Sequence, residues 1–139
     1  MKYLSSIDTD DLLVSLIRQA QEAGDIDING VICPEDDRPA DSQTEDIVVN
    51  TIAITQDNKP QDGTANINIY VPDLRVKIRG QEQTKADRQR LQELGDALVS
   101  FIKAQNLPEL EMWIEGDQTL AERTPAQHYR NIRVKLNIH

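Results

Sequence analysis

Residues 46–71 read DIVVNTIAITQDNKPQDGTANINIYV, and the fold turns on them. The first run, 46–56, is continuous and β-branched, as a buried strand is. Residues 57–64, DNKPQDGT, are turn chemistry. Residues 65–71 alternate, with Ile67, Ile69 and Val71 on one face and Asn66, Asn68 and Tyr70 on the other. Two strand-like runs around a turn predict a β-hairpin. On its C-terminal side, DLRVKIR (73–79) alternates again: Leu74, Val76 and Ile78 face one way, Arg75, Lys77 and Arg79 the other, and Gly80 ends the run.

Helical spacing takes over at 84–105. Thr84 is positioned to cap, and Leu91, Leu94, Leu98 and Ile102 form the stripe, with Ala86 and Phe101 near its edges. Gly95 lies beside that stripe, where glycine costs about 1 kcal/mol against alanine, so close packing against a strand is expected there. Pro108 stops the helix. Residues 109–115 alternate as a strand, 116–127 read as a polar loop, and 128–138 form the last strand, with Ile132, Val134, Leu136 and Ile138 toward the core and Tyr129, Asn131, Arg133, Lys135 and Asn137 outward.

Before the hairpin, residues 9–23 predict a first helix, with Thr9 as N-cap, Asp10 and Asp11 at the positive end of the dipole, and Leu12, Leu13, Leu16, Ile17 and Ala20 as its stripe. Gly24 closes it. A short strand over 26–33 is interrupted by Asn29-Gly30, and 34–46 is an acidic, proline-bearing loop. The third and fourth strand runs read either separately or as one bent strand, which gives the order α-β-β-β-α-β-β. The fold class is α+β: one domain over 1–139, a largely antiparallel sheet of about five strands packed with two helices.

The 139 residues suit one domain with a core of its own. The single cysteine, Cys33, excludes an intramolecular disulfide framework and a cysteine-rich zinc site. No stretch approaches the ~20 apolar residues of a membrane span, and acids interrupt the start too early for a secretory signal, so synthesis in the cytoplasm with no membrane partner is expected. The net charge is −9. Residues 1–60 hold thirteen acids and four bases, whereas 61–139 hold eleven of each, so the excess lies entirely in the first part. That sign argues against tight, general binding of DNA.

The sharpest local motif is DIDINGVICPED, 25–36. Asp25, Asp27, Asn29 and Gly30 match the first half of a calcium loop, with Ile32 at its apolar position and Asp36 at its twelfth. Asp36 reaches less far than the usual glutamate, Pro34 opposes an exiting helix, and the alternating isoleucines suit a plain solvated strand-turn. A calcium module over 25–36 therefore stands as a rival reading, and no metal or cofactor is assigned. His128, His139 and Cys33 form no nucleophile–base spacing, there is no Gly-rich phosphate loop, and the carboxylates lie in loops or on outward faces. No catalytic residue is assigned, and the expectation is a non-enzyme. Two basic stripes remain, Arg75, Lys77 and Arg79 on one strand and Arg133 and Lys135 on another. They read either as solvated, edge-protecting charge or as partners for the acidic 34–46 loop of a second copy, which is head-to-tail complementarity.

Arg38-Pro39-Ala40-Asp41-Ser42, Glu45-Asp46-Ile47-Val48-Val49-Asn50, Asn66-Ile67-Asn68-Ile69-Tyr70-Val71-Pro72 and His128-Tyr129-Arg130-Asn131-Ile132-Arg133, together with the element order, resemble the small neck proteins of tailed bacteriophages, the tail-completion or tail-terminator-like members of the head–tail connector group. The resemblance implies a homo-oligomeric ring, often a hexamer, stacked between head and tail against other neck or tail proteins, made in the bacterial cytoplasm and ending in the virion. It implies DNA passage without specific DNA binding, no active site, and loop 34–46 and turn 57–64 as segments reaching a neighbour. The alternative is a small bacterial adaptor domain that binds a protein or peptide along a sheet edge.

Overall fold

A computed structural model describes residues 3–139. Helix α1 spans Ser6–Glu22, strand β1 Ile32–Pro34, a single 3-10 turn Glu35–Asp37, β2 Asp46–Ile54, β3 Gln61–Pro72, β4 Leu74–Ile78, β5 Gln81–Lys85, α2 Arg88–Ala104, β6 Leu110–Arg123 and β7 Ala126–Ile138. Five strands form one sheet in the order β1-β2-β3-β7-β6, antiparallel except where β1 runs parallel to β2. The class is α+β with two helices, as expected.

Both helices cover one face of that sheet, α1 over β1 and β2 and α2 over β3, β6 and β7. The hairpin pairs Ile47 with Ile69 and Val49 with Ile67, and β7 continues the layer by placing Ile132 opposite Ile67 and Val134 opposite Ala65. Leu13 and Ile17 of α1 and Leu94, Leu98 and Ile102 of α2 close over it. The opposite face has no helix. Its alternate residues bond across strands instead: Asn131 donates to Asn68 (2.7 Å), Arg133 to Asn66 (3.2 Å) and Lys135 to Thr64 (3.0 Å). The two-faced alternation of β3 and β7 is thus a core side and a laddered polar side.

Several boundaries differ from the sequence reading. Ser5, not Thr9, caps α1, forming a reciprocal capping box with Asp8. Thr9 is buried one turn in, its hydroxyl bonded to the Ser5 carbonyl. Ile26 and Ile28 are buried, but the ladder begins only at Ile32. Asp87, not Thr84, caps α2, because 81–85 are β5. That strand pairs with β4 in a separate two-stranded sheet, so β3 and β4 are not one bent strand and Leu74, Val76 and Ile78 do not enter the core. The turn between them puts Arg79 at φ 51° and Gly80 at φ 79°, the two left-handed residues of a type I′ hairpin. The supposed loop 116–127 is mostly strand: β6 and β7 run on as a ribbon to Arg123 and Ala126. A bulge between Ile114 and Gly116 shifts its register.

Candidate functional site

Loop 34–46 is tied down by its last residue. Asp46 is fully buried and accepts four hydrogen bonds, from the Ser42 hydroxyl (2.5 Å), the Thr44 hydroxyl (2.8 Å), the Val31 amide (2.9 Å) and Arg38 Nε (2.9 Å). Burial alone raises a carboxyl pKa. Here those bonds outweigh it and hold Asp46 below its ordinary value. The expectation that every carboxylate lies in a loop or on an outward face is corrected at this residue. Arg38 also donates to Gln127 (2.9 Å) and lies 3.7 Å above the Tyr70 ring, which stacks on Tyr129 at 4.8 Å. Burial drives the Tyr70 phenol up to about 12, with Glu122 adding to the shift. A second tie joins Glu45 to Arg90 of α2 at 2.6 Å. Two of the loop's acids and its arginine are therefore used within the chain, leaving Glu35, Asp36, Asp37 and Asp41 as its exposed carboxylates.

Two groups of the calcium-like segment are engaged within the chain. Asn29 Oδ1 accepts the Glu45 amide at 2.8 Å, the Asp27 carbonyl accepts from Arg90, and Asp36 lies in the 3-10 turn. Among the described residues no three histidine, cysteine or acidic side chains gather where they would hold an ion. His128 Nδ1 sits 2.6 Å from Asp73 Oδ1 at the end of β3, and His139 bonds to Glu111. Cys33 is buried, and burial, with Asp46 and Asp37 nearby, pushes its thiol up, the opposite of what activates a nucleophile.

The basic stripes separate. Arg133 and Lys135 belong to the laddered face and bond to Asn66 and Thr64. Arg75, Lys77 and Arg79 stand on the β4–β5 hairpin, where Leu74 is 41 % and Ile78 44 % exposed. Register places Leu74, Val76 and Ile78 on one side and Arg75 and Lys77 with Glu82 and Thr84 on the other. Across that ribbon a hollow of about 380 Å³ is lined by Arg75, Val76, Lys77, Glu82, Gln83 and Thr84. Among the described residues none of the hairpin's cations forms an ion pair within the chain. The amphipathic alternation that reads as a core strand is spent on a projecting ribbon.

Sequence reasoning missed three anchoring residues. Asp46 had one signal, a carboxylate leading a wholly apolar run behind two hydroxyl residues. Arg90 and Arg130 had none, because their partners Glu45, Asp96 and Asp117 are remote in sequence. No protein-family model fits the sequence, and no curated protein matches it. Among the described residues no helix is long and apolar enough to cross a membrane.

Proposed function

We propose that this chain is a structural protein that acts by assembling with copies of itself into a ring, in the manner of the neck proteins of tailed bacteriophages. The observation that carries the reading is the β4–β5 hairpin. It forms a sheet of its own, leaves Leu74 and Ile78 open to solvent, and presents four cations with one acid, on a chain whose net charge is −9. An exposed ribbon of that make-up has no work to do for its own core and suits a neighbouring surface. The rest of the molecule supports the same view. Among the described residues no buried side-chain nitrogen or oxygen lacks a hydrogen-bond partner, and His128 and His139 bond to Asp73 and Glu111. The ring is read as belonging to a virion head–tail junction, with DNA passing through unbound.

Native mass measurement or light scattering at low salt tests the reading. A closed oligomer, six-fold on the phage comparison, is expected, and deletion of residues 74–85 with a short turn in their place should return a monomer. A full-length chain that stays monomeric at high concentration defeats the ring. The adaptor reading draws on a different observation, the strandless outer edge of β6, and requires that monomer.

A further inference from the structure

We infer that the β4–β5 hairpin of one copy docks along the β6 edge of the next. The inference rests on the ring reading and names the surface that receives the hairpin. β6 is the last strand of the five-stranded sheet, so among the described residues its far edge has no strand partner. Such an edge is a template for added β-structure unless something covers it. Regular pairing runs from Leu110 to Ile114, five residues, before the bulge. β4 and β5 are each five residues long.

Charge and apolar character match as well. Residues 109–123 carry five acids and one base, whereas 74–85 carry four bases and one acid. Trp113, 47 % exposed, stands on β6 between Glu111 and Glu115, and on the hairpin Leu74 and Ile78 occupy the side opposite Arg75 and Lys77. Added along the edge, the hairpin would carry Arg75 and Lys77 on the side of Glu111 and Trp113, and Leu74, Val76 and Ile78 on the other side, next to the partly buried Met112 and Ile114. The two surfaces differ, so the contact is head-to-tail, which is how a ring closes. A polyanion would meet the cations of the hairpin but leave its apolar side uncovered. A second copy meets both. Loop 34–46 is the weaker receiver because it offers no strand edge; pairing within the chain does not separate the two, since Glu111 bonds to His139 and Glu115 lies 3.8 Å from Lys135.

Charge reversal in the full chain tests this. One variant carries Arg75→Glu and Lys77→Glu, the other Glu111→Lys and Glu115→Lys. All four residues are exposed, and thermal melting checks that both variants fold. With a wild-type oligomer in hand, each variant alone should need more than about tenfold higher concentration to assemble. An equal mixture should assemble again, since an acidic hairpin then meets a basic edge and a basic hairpin an acidic one. A wild-type oligomer indifferent to the edge reversal, or a mixture that stays monomeric, overturns the docking while leaving the ring intact. A wild-type monomer overturns the ring itself. Hairpin reversal that abolishes retention of duplex DNA without changing the oligomer's mass overturns the docking in favour of a polyanion site. Should the edge variant fail to fold, Lys77→Cys with Trp113→Cys replaces it: mild oxidation should link copies into ladders on a non-reducing gel, and an unlinked ring sinks the proposal.

Discussion

The guanidinium of Arg130 occupies the space into which any side chain at Gly95 would grow. A Cβ at Gly95 would collide with Arg130 Nη1, Cζ and Cδ. The arginine comes from β7 on the helix-covered face, donates to the α2 carbonyl of Leu91 at 3.3 Å, and pairs with Asp117 (2.6 Å) and Asp96 (3.1 Å). Asp117 first, then Asp96, raises its pKa further, so it stays charged. The close packing expected at Gly95 is therefore against a side chain reaching from a strand, and it locks α2 to the β6–β7 ribbon.

That relationship is testable as a coupled pair. Gly95→Ala gains about 1 kcal/mol of helix propensity but forces Arg130 off its partners, an overpacking cost of about 1–3 kcal/mol, so a net loss of stability is expected. In an Arg130→Ala background the clash is gone, and Gly95→Ala should become stabilising. Urea denaturation of the four proteins gives the coupling, and simple additivity would show that the two residues do not meet.

Asp46→Asn should destabilise by about 3 kcal/mol, because it leaves Arg38 facing a neutral amide in a largely buried site. The folded carboxyl lies below its ordinary value. Its contribution is therefore complete above the unfolded value of about 4 and is lost as pH falls through the folded value. The gap between wild type and Asp46→Asn in urea midpoints should be constant at neutral pH and shrink below about pH 4. A gap independent of pH down to acid unfolding would contradict the assignment.

Tyr70 has the opposite sign. Its phenol is favoured neutral in the folded chain, with a pKa of about 12. The stabilisation is whole below the unfolded value near 10 and disappears as pH rises through the folded one. Ultraviolet titration of wild type minus Tyr70→Phe should place one phenol near pH 12. Ionisation of that phenol near 10 in the folded protein would mean that the ring is not enclosed between Arg38 and Tyr129.

Core and surface should part company in a simple comparison. Leu98, on the inner face of α2, is fully buried, and Leu98→Ala should cost about 2–5 kcal/mol. Ile7, 69 % exposed on α1, should change stability by less than about 0.5 kcal/mol on substitution to serine. Equal effects in thermal or urea melts would refute the layer arrangement.

What could be read in advance followed burial. β2, β3 and β7 alternate or run apolar because helices cover one side of them, and the helical stripes of α1 and α2 carry Leu13, Ile17, Leu94 and Leu98 into that layer. Periodicity failed where no layer exists. From Asp117 to Arg123 every residue of β6 is exposed, so its sequence has no face to hide and reads as loop. β4 alternates like a core strand yet stands in solvent, because alternation records two faces and not which of them is covered. Ile26 and Ile28 are core residues outside any ladder. The anchoring pairs Arg38–Asp46, Arg90–Glu45 and Arg130–Asp117 depend on chain geometry that no local pattern encodes.

The bond between Asn68 and Asn131 joins residues 63 positions apart, at the middle of the sheet. β3 gains its second neighbour only after the β4–β5 hairpin, α2 and β6 have been traversed. Distant pairings of this kind put folding on a scale of about milliseconds to seconds, whereas the contiguous β6–β7 ribbon can close in about microseconds. Time thus orders the events: ribbon first, then its docking beside β3. Until that docking, β3 and β7 both present open backbone, and crowding of half-made chains at that stage favours wrong partners. A slow, late seam through the centre makes the yield of correctly folded chains a question of how dilute they are while they wait.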